Sequence, residues 1–217
     1  MAQVPTGTTF YVATAAALGS PKTVTAVTNE AEASVTSTAH GFTNGDTVMM
    51  FSGWGRLNKR VFRVKSVATN TFVLEGQDTT NINFYPSGLG IGTVVKIGSM
   101  TQITNVMNPQ SSGGDPKTVT YKYTESDVEN NINDGFTATS YTLELDADSI
   151  GSAGYTALKA LTEVQIDTVM KMVTRSGSLI FQPCTVALNE AINLQEGQIN
   201  RVKVSFNGNN RLTRYAS

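Results

Sequence analysis

"TAHGFTNGDTVMMFSGWGRLNKRVFRVKSVATNTFVLEG", residues 38–76, reads as a small β-module complete in itself. Asn44-Gly45 is a strong turn signal, because both residue types tolerate positive φ. "TVMMFS" follows it as a strand. "RVFRVKSVA" alternates, with Val61, Arg63 and Lys65 on one side and Phe62, Val64 and Ser66 on the other. "NTFVLEG" closes a further hairpin after Asn70. With "EASVTS" ahead of them, these segments predict four or five short strands in about 50 residues, which fits a small barrel or sandwich.

The module has broad limits of 22–93, and the segments on either side read as two parts of another domain, 1–21 and 94–217. "GTTFYVATAA" is a short apolar strand that ends at a Gly-Ser-Pro break, and Met1–Thr6 is expected to be a flexible arm. "VVKIGSMTQITNVM" restarts the strand pattern. "NPQSSGGDPK", 108–117, is expected to be a long polar hairpin loop, mobile or clamped by a partner, with "TVTYKYTE" as its return strand. In "TATSYTLELDAD", Tyr141, Leu143 and Leu145 share one face, and Thr142, Glu144 and Asp146 the other. "GSAGYTALKALTEV" predicts the one helix, with Ser152 as N-cap and Tyr155, Leu158 and Leu161 as its apolar stripe. "TVMKMVTR", "LIFQPCTVAL" and "NRVKVSFNGNNRLTRYAS" return to strands, and Pro183 predicts a sheet edge or a bulge. Since the outer parts complete each other, the module is expected to be replaceable by a short linker.

Composition sets limits on function. Formal net charge is -1, so no global basic field advertises nucleic-acid binding. Cys184 is the only cysteine, which excludes an internal disulfide framework and a cysteine-based zinc site. No stretch approaches the ~20 apolar residues of a membrane helix, and "MAQVPTGTTF" lacks the basic and apolar regions of a secretory signal.

Little in the chain has the spacing of chemistry. His40, the only histidine, precedes Gly41 in a turn and has no partners at motif spacing. Glu144, Asp146 and Asp148 lack the Gly and distal Glu of a calcium loop. "SGLGIG", 87–92, does not follow a strand and open a helix as a phosphate loop must, so it reads as a linker out of the module. Trp54, beside Arg56, Lys59 and Arg60, is a candidate exposed aromatic for sugar or nucleic acid, or else packs over the small barrel. The pattern predicts no enzyme, no cofactor and no metal.

The charge distribution says more. Asp115, Glu125, Asp127, Glu129, Asp134, Glu144, Asp146 and Asp148 form an acidic block. Arg201, Lys203, Arg211 and Arg214 form a basic one near the C-terminus. Such blocks suit head-to-tail assembly of copies. With Asn108, Pro109, Gly113, Gly114, Asp115 and Pro116 of the polar segment, those four basic residues are the candidate assembly residues.

The order "GTTFYV", "IGSMTQITNV", a Gly/Pro segment, "KTVTYKYTE", "DGFTATSYTLELDADS", "GYTALKAL", "SLIFQPCTVALN" and "INRVKVSFNGNNRLTRY" resembles the major tail tube proteins of long-tailed, non-contractile bacteriophages, the lambda-like tube family. The resemblance lies in element order over 7–18 and 94–217. It implies a mainly β fold, a sandwich or barrel with one flanking helix, whose copies form hexameric rings that stack into a tube for genome ejection. It also implies partners in the tail terminator, tape measure and tail tip proteins, passage of DNA without tight binding, no membrane, and a place in the virion tail after assembly in the host cytoplasm. The quoted module is similar to the small β-domain named for the first catalytic cysteine half-domain of ubiquitin-activating enzymes, but it holds no cysteine, so that chemistry does not carry over. The alternative reading is a β-rich adhesion module that recognises a surface glycan or protein.

Overall fold

The computed structural model describes residues 6–216. All but Thr6 of the arm expected at Met1–Thr6 lies outside them. The chain is mainly β. Its strands are β1 (Thr9–Val12), β2 (Lys22–Val24), β3 (Ala26–Val27), β4 (Ser34–Thr36), β5 (Thr47–Ser52), β6 (Arg60–Lys65), β7 (Thr71–Leu74), β8 (Gly92–Ile97) and β9 (Thr101–Ile103). They continue as β10 (Val106–Ser112), β11 (Pro116–Tyr121), β12 (Asn130–Phe136) and β13 (Ser140–Asp146). After α1 (Ala153–Val164) come β14 (Thr168–Val173), β15 (Leu179–Asn193), β16 (Arg201–Gly208) and β17 (Thr213–Tyr215).

Two large sheets divide these strands. One runs β10-β13-β16-β15-β14-β1-β9, with β17 also on β15. Its end strands β9 and β10 are consecutive in sequence and turn a corner at Asn105 (φ +55°), so the sheet curls back almost to closure. The other runs β2-β8-β5-β6-β7-β4-β3. β11 and β12 pair only with each other.

The curled sheet forms because its strands alternate. Leu143 and Leu145 of β13 and Val202, Val204 and Phe206 of β16 all point into one core. α1 covers that core with Tyr155, Leu158 and Leu161. The helix starts where expected, since the Ser152 hydroxyl accepts from the Tyr155 N–H at 3.2 Å. A left-handed Gln165 (φ +52°) ends it.

The smaller sheet wraps a second core of Val48, Met50, Phe62, Val64, Phe72 and Leu74. Trp54 belongs to this core and is only 2% exposed, so the surface-aromatic reading is set aside. The indole N–H donates to the Pro86 carbonyl at 2.8 Å, and Gly90 packs against its ring. "SGLGIG" is therefore the lid over Trp54 and the start of β8. His40 is buried and locks its turn. Its Nδ1 accepts from the Phe42 N–H, leaving Nε2 to donate to the Ala68 carbonyl 3.0 Å away.

A third cluster lies between the sheets: Ala13, Met49, Val61, Ile97, Val169, Phe181 and Tyr215. β5 and β6 are thus apolar on both faces, with Met49 and Val61 turned toward the curled sheet. Val61 shares its side with Arg63 and Lys65, but it is buried where they are not.

Three expectations are corrected. The sequence places residues from 94 onward with the outer parts, yet β8 pairs with β2 and β5 of the smaller sheet, and the crossover falls between Ile97 and Thr101. Alternation identifies a strand but not its neighbour. Pro183 lies neither at a sheet edge nor at a bulge. On one side of β15, β17 pairs Leu179–Phe181 and β16 begins at Cys184, so Pro183 falls in the junction and its missing N–H breaks no ladder bond. Finally, most of 108–117 is strand rather than loop. β10 is an end strand of its path, and a register shift between Met107 and Gln110 accommodates Asn108 (φ +43°) and Pro109.

Candidate assembly surface

β10 and β11 do not form the expected hairpin. β10 pairs with β13 and β11 with β12, so a two-stranded arm leaves the curled sheet between Ser112 and Ser140. Its root is tied: the Thr137 N–H donates to the Asp115 carbonyl at 2.9 Å, and the Asp115 N–H donates to the Thr137 hydroxyl at 3.0 Å. Gly113 (φ +77°) and Gly114 (φ +81°) make the bend. A Cβ on Gly113 would collide with the Ala138 carbonyl oxygen, so only glycine fits there.

No residue from Pro116 to Phe136 is buried. The arm nevertheless presents Val119, Tyr123, Val128, Ile132 and Phe136, each more than half exposed. Val119 and Ile132 sit opposite each other in the ladder and form one apolar patch. An isolated two-stranded hairpin is marginally stable, and a monomer gains nothing from apolar side chains held in water. Glu125, Asp127, Glu129 and Asp134 are exposed on the same arm.

The predicted assembly residues separate into groups. Gly113, Gly114, Asp115 and Pro116 build the arm root. Asn108 and Arg201 converge instead on Glu144 of their own chain. The Asn108 amide donates to its Oε2 at 2.8 Å and the Arg201 guanidinium at 2.9 Å. The Asn108 hydrogen bond first, and the Arg201 pairing with it, hold the Glu144 carboxyl below its ordinary value against partial desolvation. Lys203 stands opposite the same Glu144 in the ladder. Acidic and basic blocks that looked like complementary faces of different copies are therefore partly neighbours in one sheet. Sequence distance concealed this, because β13 and β16 are brought together only by the fold.

Arg211 and Arg214 lie at the other end of β16, beyond Gly208. Arg214 is exposed on β17. The Arg211 guanidinium stacks over the Phe136 ring at 4.3 Å and borders a cleft of about 710 Å³ at the arm root. Arg56 of the smaller sheet, Ala138, Asn210 and Leu212 line the same cleft. The Asn210 amide holds the smaller sheet's loop in place through the carbonyls of Gly55, at 3.0 Å, and Asn58. Phe136 and the arm's other apolar residues were missed in the sequence, and Arg56 was noticed there only as a neighbour of Trp54. The alternation of Val119 with threonines, and of Ile132 with asparagines, was the available signal.

Cys184 is fully buried, and burial pushes its thiol up to about 12, which makes it inert. Among the described residues no group of three or more His, Cys, Asp or Glu side chains is gathered as a metal site, and no helix is long and apolar enough to cross a membrane. The family model described as "Phage tail tube protein, TTP" matches residues 52–217. No curated protein matches the chain.

Proposed function

The chain belongs to the phage tail tube protein family, and from that membership we propose that its copies close into hexameric rings that stack into the conduit for the phage genome. The arm carries this reading. It is a solvent-exposed hairpin whose apolar side chains stay more than half exposed, with none of them buried among the described residues. Tail terminator, tape measure and tail tip proteins are the expected partners at the ends and in the lumen. The near-neutral chain suits passage of DNA, because each Lys or Arg contact to phosphate would hold the duplex back.

Residues 22–93, with β8 completing their sheet, are read as a module inserted into the tube domain and turned to the outside of the tube. Separate sheets and separate cores support the insertion. A binding role for this module has one observation in its favour. Ile82, Phe84, Leu89 and Ile91 are exposed together on the loop over Trp54, with the Arg56 guanidinium 3.3 Å above the Phe84 ring.

The arm supplies the test. Asp115 and Thr137 already bond to each other, so residues 116–136 can be replaced by a two-residue turn without moving the sheet. The shortened chain should melt like the parent and stay monomeric in sedimentation under conditions where the parent polymerises. Tubes formed equally well without the arm would defeat the reading.

A further inference from the structure

The long β15–β16 hairpin has two unlike ends. At one end, where Cys184 faces Gly208, lies the arm-root cleft with Arg56, Arg211 and the Phe136 ring. At the other is a tip formed by the end of β15 and the turn to Arg201, whose side chains Ile192, Leu194 and Ile199 are 53%, 72% and 59% exposed. The ladder between Cys184 and Asn193 spans about 30 Å at the usual strand rise.

We propose that the β15–β16 tip of one copy enters the arm-root cleft of the next, with Ile192 and Leu194 against Phe136 and Leu212, and Glu196 facing Arg56 and Arg211. This rests on the tube reading and names the surfaces that join its subunits. The partner is a second copy for two reasons on the molecule itself. The charges match. Of the tip's carboxylates, Glu190 is taken by Lys159 at 3.0 Å, and Glu196 has no ion-pair partner among the described residues. Arg201, where β16 begins after the turn, is taken by Glu144. In the cleft, Arg56 and Arg211 cover aromatic rings and meet no carboxylate among the described residues. The nearby Asp167 is held by Lys59 and by the Asn209 amide. The surfaces also lie at opposite ends of one ladder, so each copy that docks its tip leaves its own cleft open. Such a contact is heterologous, so it joins copy to copy into a closed ring or an open stack according to the rotation it imposes.

Two experiments on the full chain test this. In the first, Leu194→Cys and Phe136→Cys are combined and the assembled protein is treated with a short bis-maleimide. A covalent ladder of oligomers is expected from the double variant and from neither single one, since Cys184 is fully buried. In the second, Glu196→Arg and Arg211→Glu are compared alone and together at low salt. Each alone should raise the protein concentration needed for polymerisation by about two- to fivefold, and the pair should restore it. Thermal melts of the unassembled variants check that they fold. Tubes that form without a ladder, or single reversals that leave polymerisation unchanged, would overturn this contact and leave the tube reading intact. A parent chain that never polymerises would overturn both.

Discussion

Excising residues 19–96 asks whether the smaller sheet is separable in energy as well as in topology. Leu18 and Ile97 already face each other as an antiparallel bridge, so a two-residue Asn-Gly turn can join them without strain. Every strand of the curled sheet survives the cut. The cluster between the sheets does not. Val169, Phe181 and Tyr215 are 0%, 3% and 7% exposed, and they lose Met49 and Val61 as cover. Leaving three large side chains uncovered costs at most about 4.5–9 kcal/mol at ~1.5–3 kcal/mol each. That is comparable with the ~5–15 kcal/mol by which a whole domain is stable. The Tyr215 hydroxyl also loses the Arg63 N–H at 2.9 Å, and Asp167 loses Lys59. The expectation that a linker can replace the module is therefore revised: the excised chain should be poorly soluble or melt lower by up to about 9–36 °C, at about 2–4 °C per kcal/mol. Adding Val169→Thr and Phe181→Thr should recover solubility. Thermal melts and size-exclusion chromatography of the three proteins decide it. An excised chain that is monodisperse and melts within a few degrees of the parent would refute the argument.

Tyr215→Phe removes the hydroxyl that accepts from the Arg63 N–H and donates to the Glu75 carbonyl, so it should cost about 1–3 kcal/mol in urea unfolding; an unchanged midpoint would mean that water replaces it. The Glu75 carboxyl is held below its ordinary 4.5 first by its hydrogen bonds to Arg63, and Glu144 likewise by Asn108 and Arg201. A lowered folded-state value stabilises above the unfolded value and is lost as pH falls through the folded one. Unfolding midpoints should therefore drop as pH goes below 4.5, and Glu75→Gln should flatten that drop by ~0.2–1 kcal/mol, since the pair is part-exposed. Cys184, with its thiol pushed up to about 12, should ignore Ellman's reagent in the native protein and react fully in denaturant; fast native labelling would show that β15 opens.

What the sequence revealed follows from how local each signal is. α1, its Ser152 cap and its Tyr155/Leu158/Leu161 stripe were legible because period and cap lie within a few residues of one another. The faces of β13 and β16 were legible for the same reason. Partners were not. The arm was hidden because β10 and β11 read as one hairpin, whereas β10 pairs with β13 and β11 with β12, two ladders separated at the Asp115–Thr137 tie. Pro183 misled because the rule against proline in a central strand assumes one continuous neighbour, whereas β15 changes neighbour there. The charge blocks were visible as composition, but the Arg201–Glu144 pair inside one sheet was not, because β13 and β16 meet only in the fold.

Negative-stain electron microscopy of the purified full chain at rising concentration tests self-assembly most directly. Hexameric rings with an open lumen that stack into hollow tubes are expected. Particles that remain single subunits at every concentration and ionic strength would contradict it.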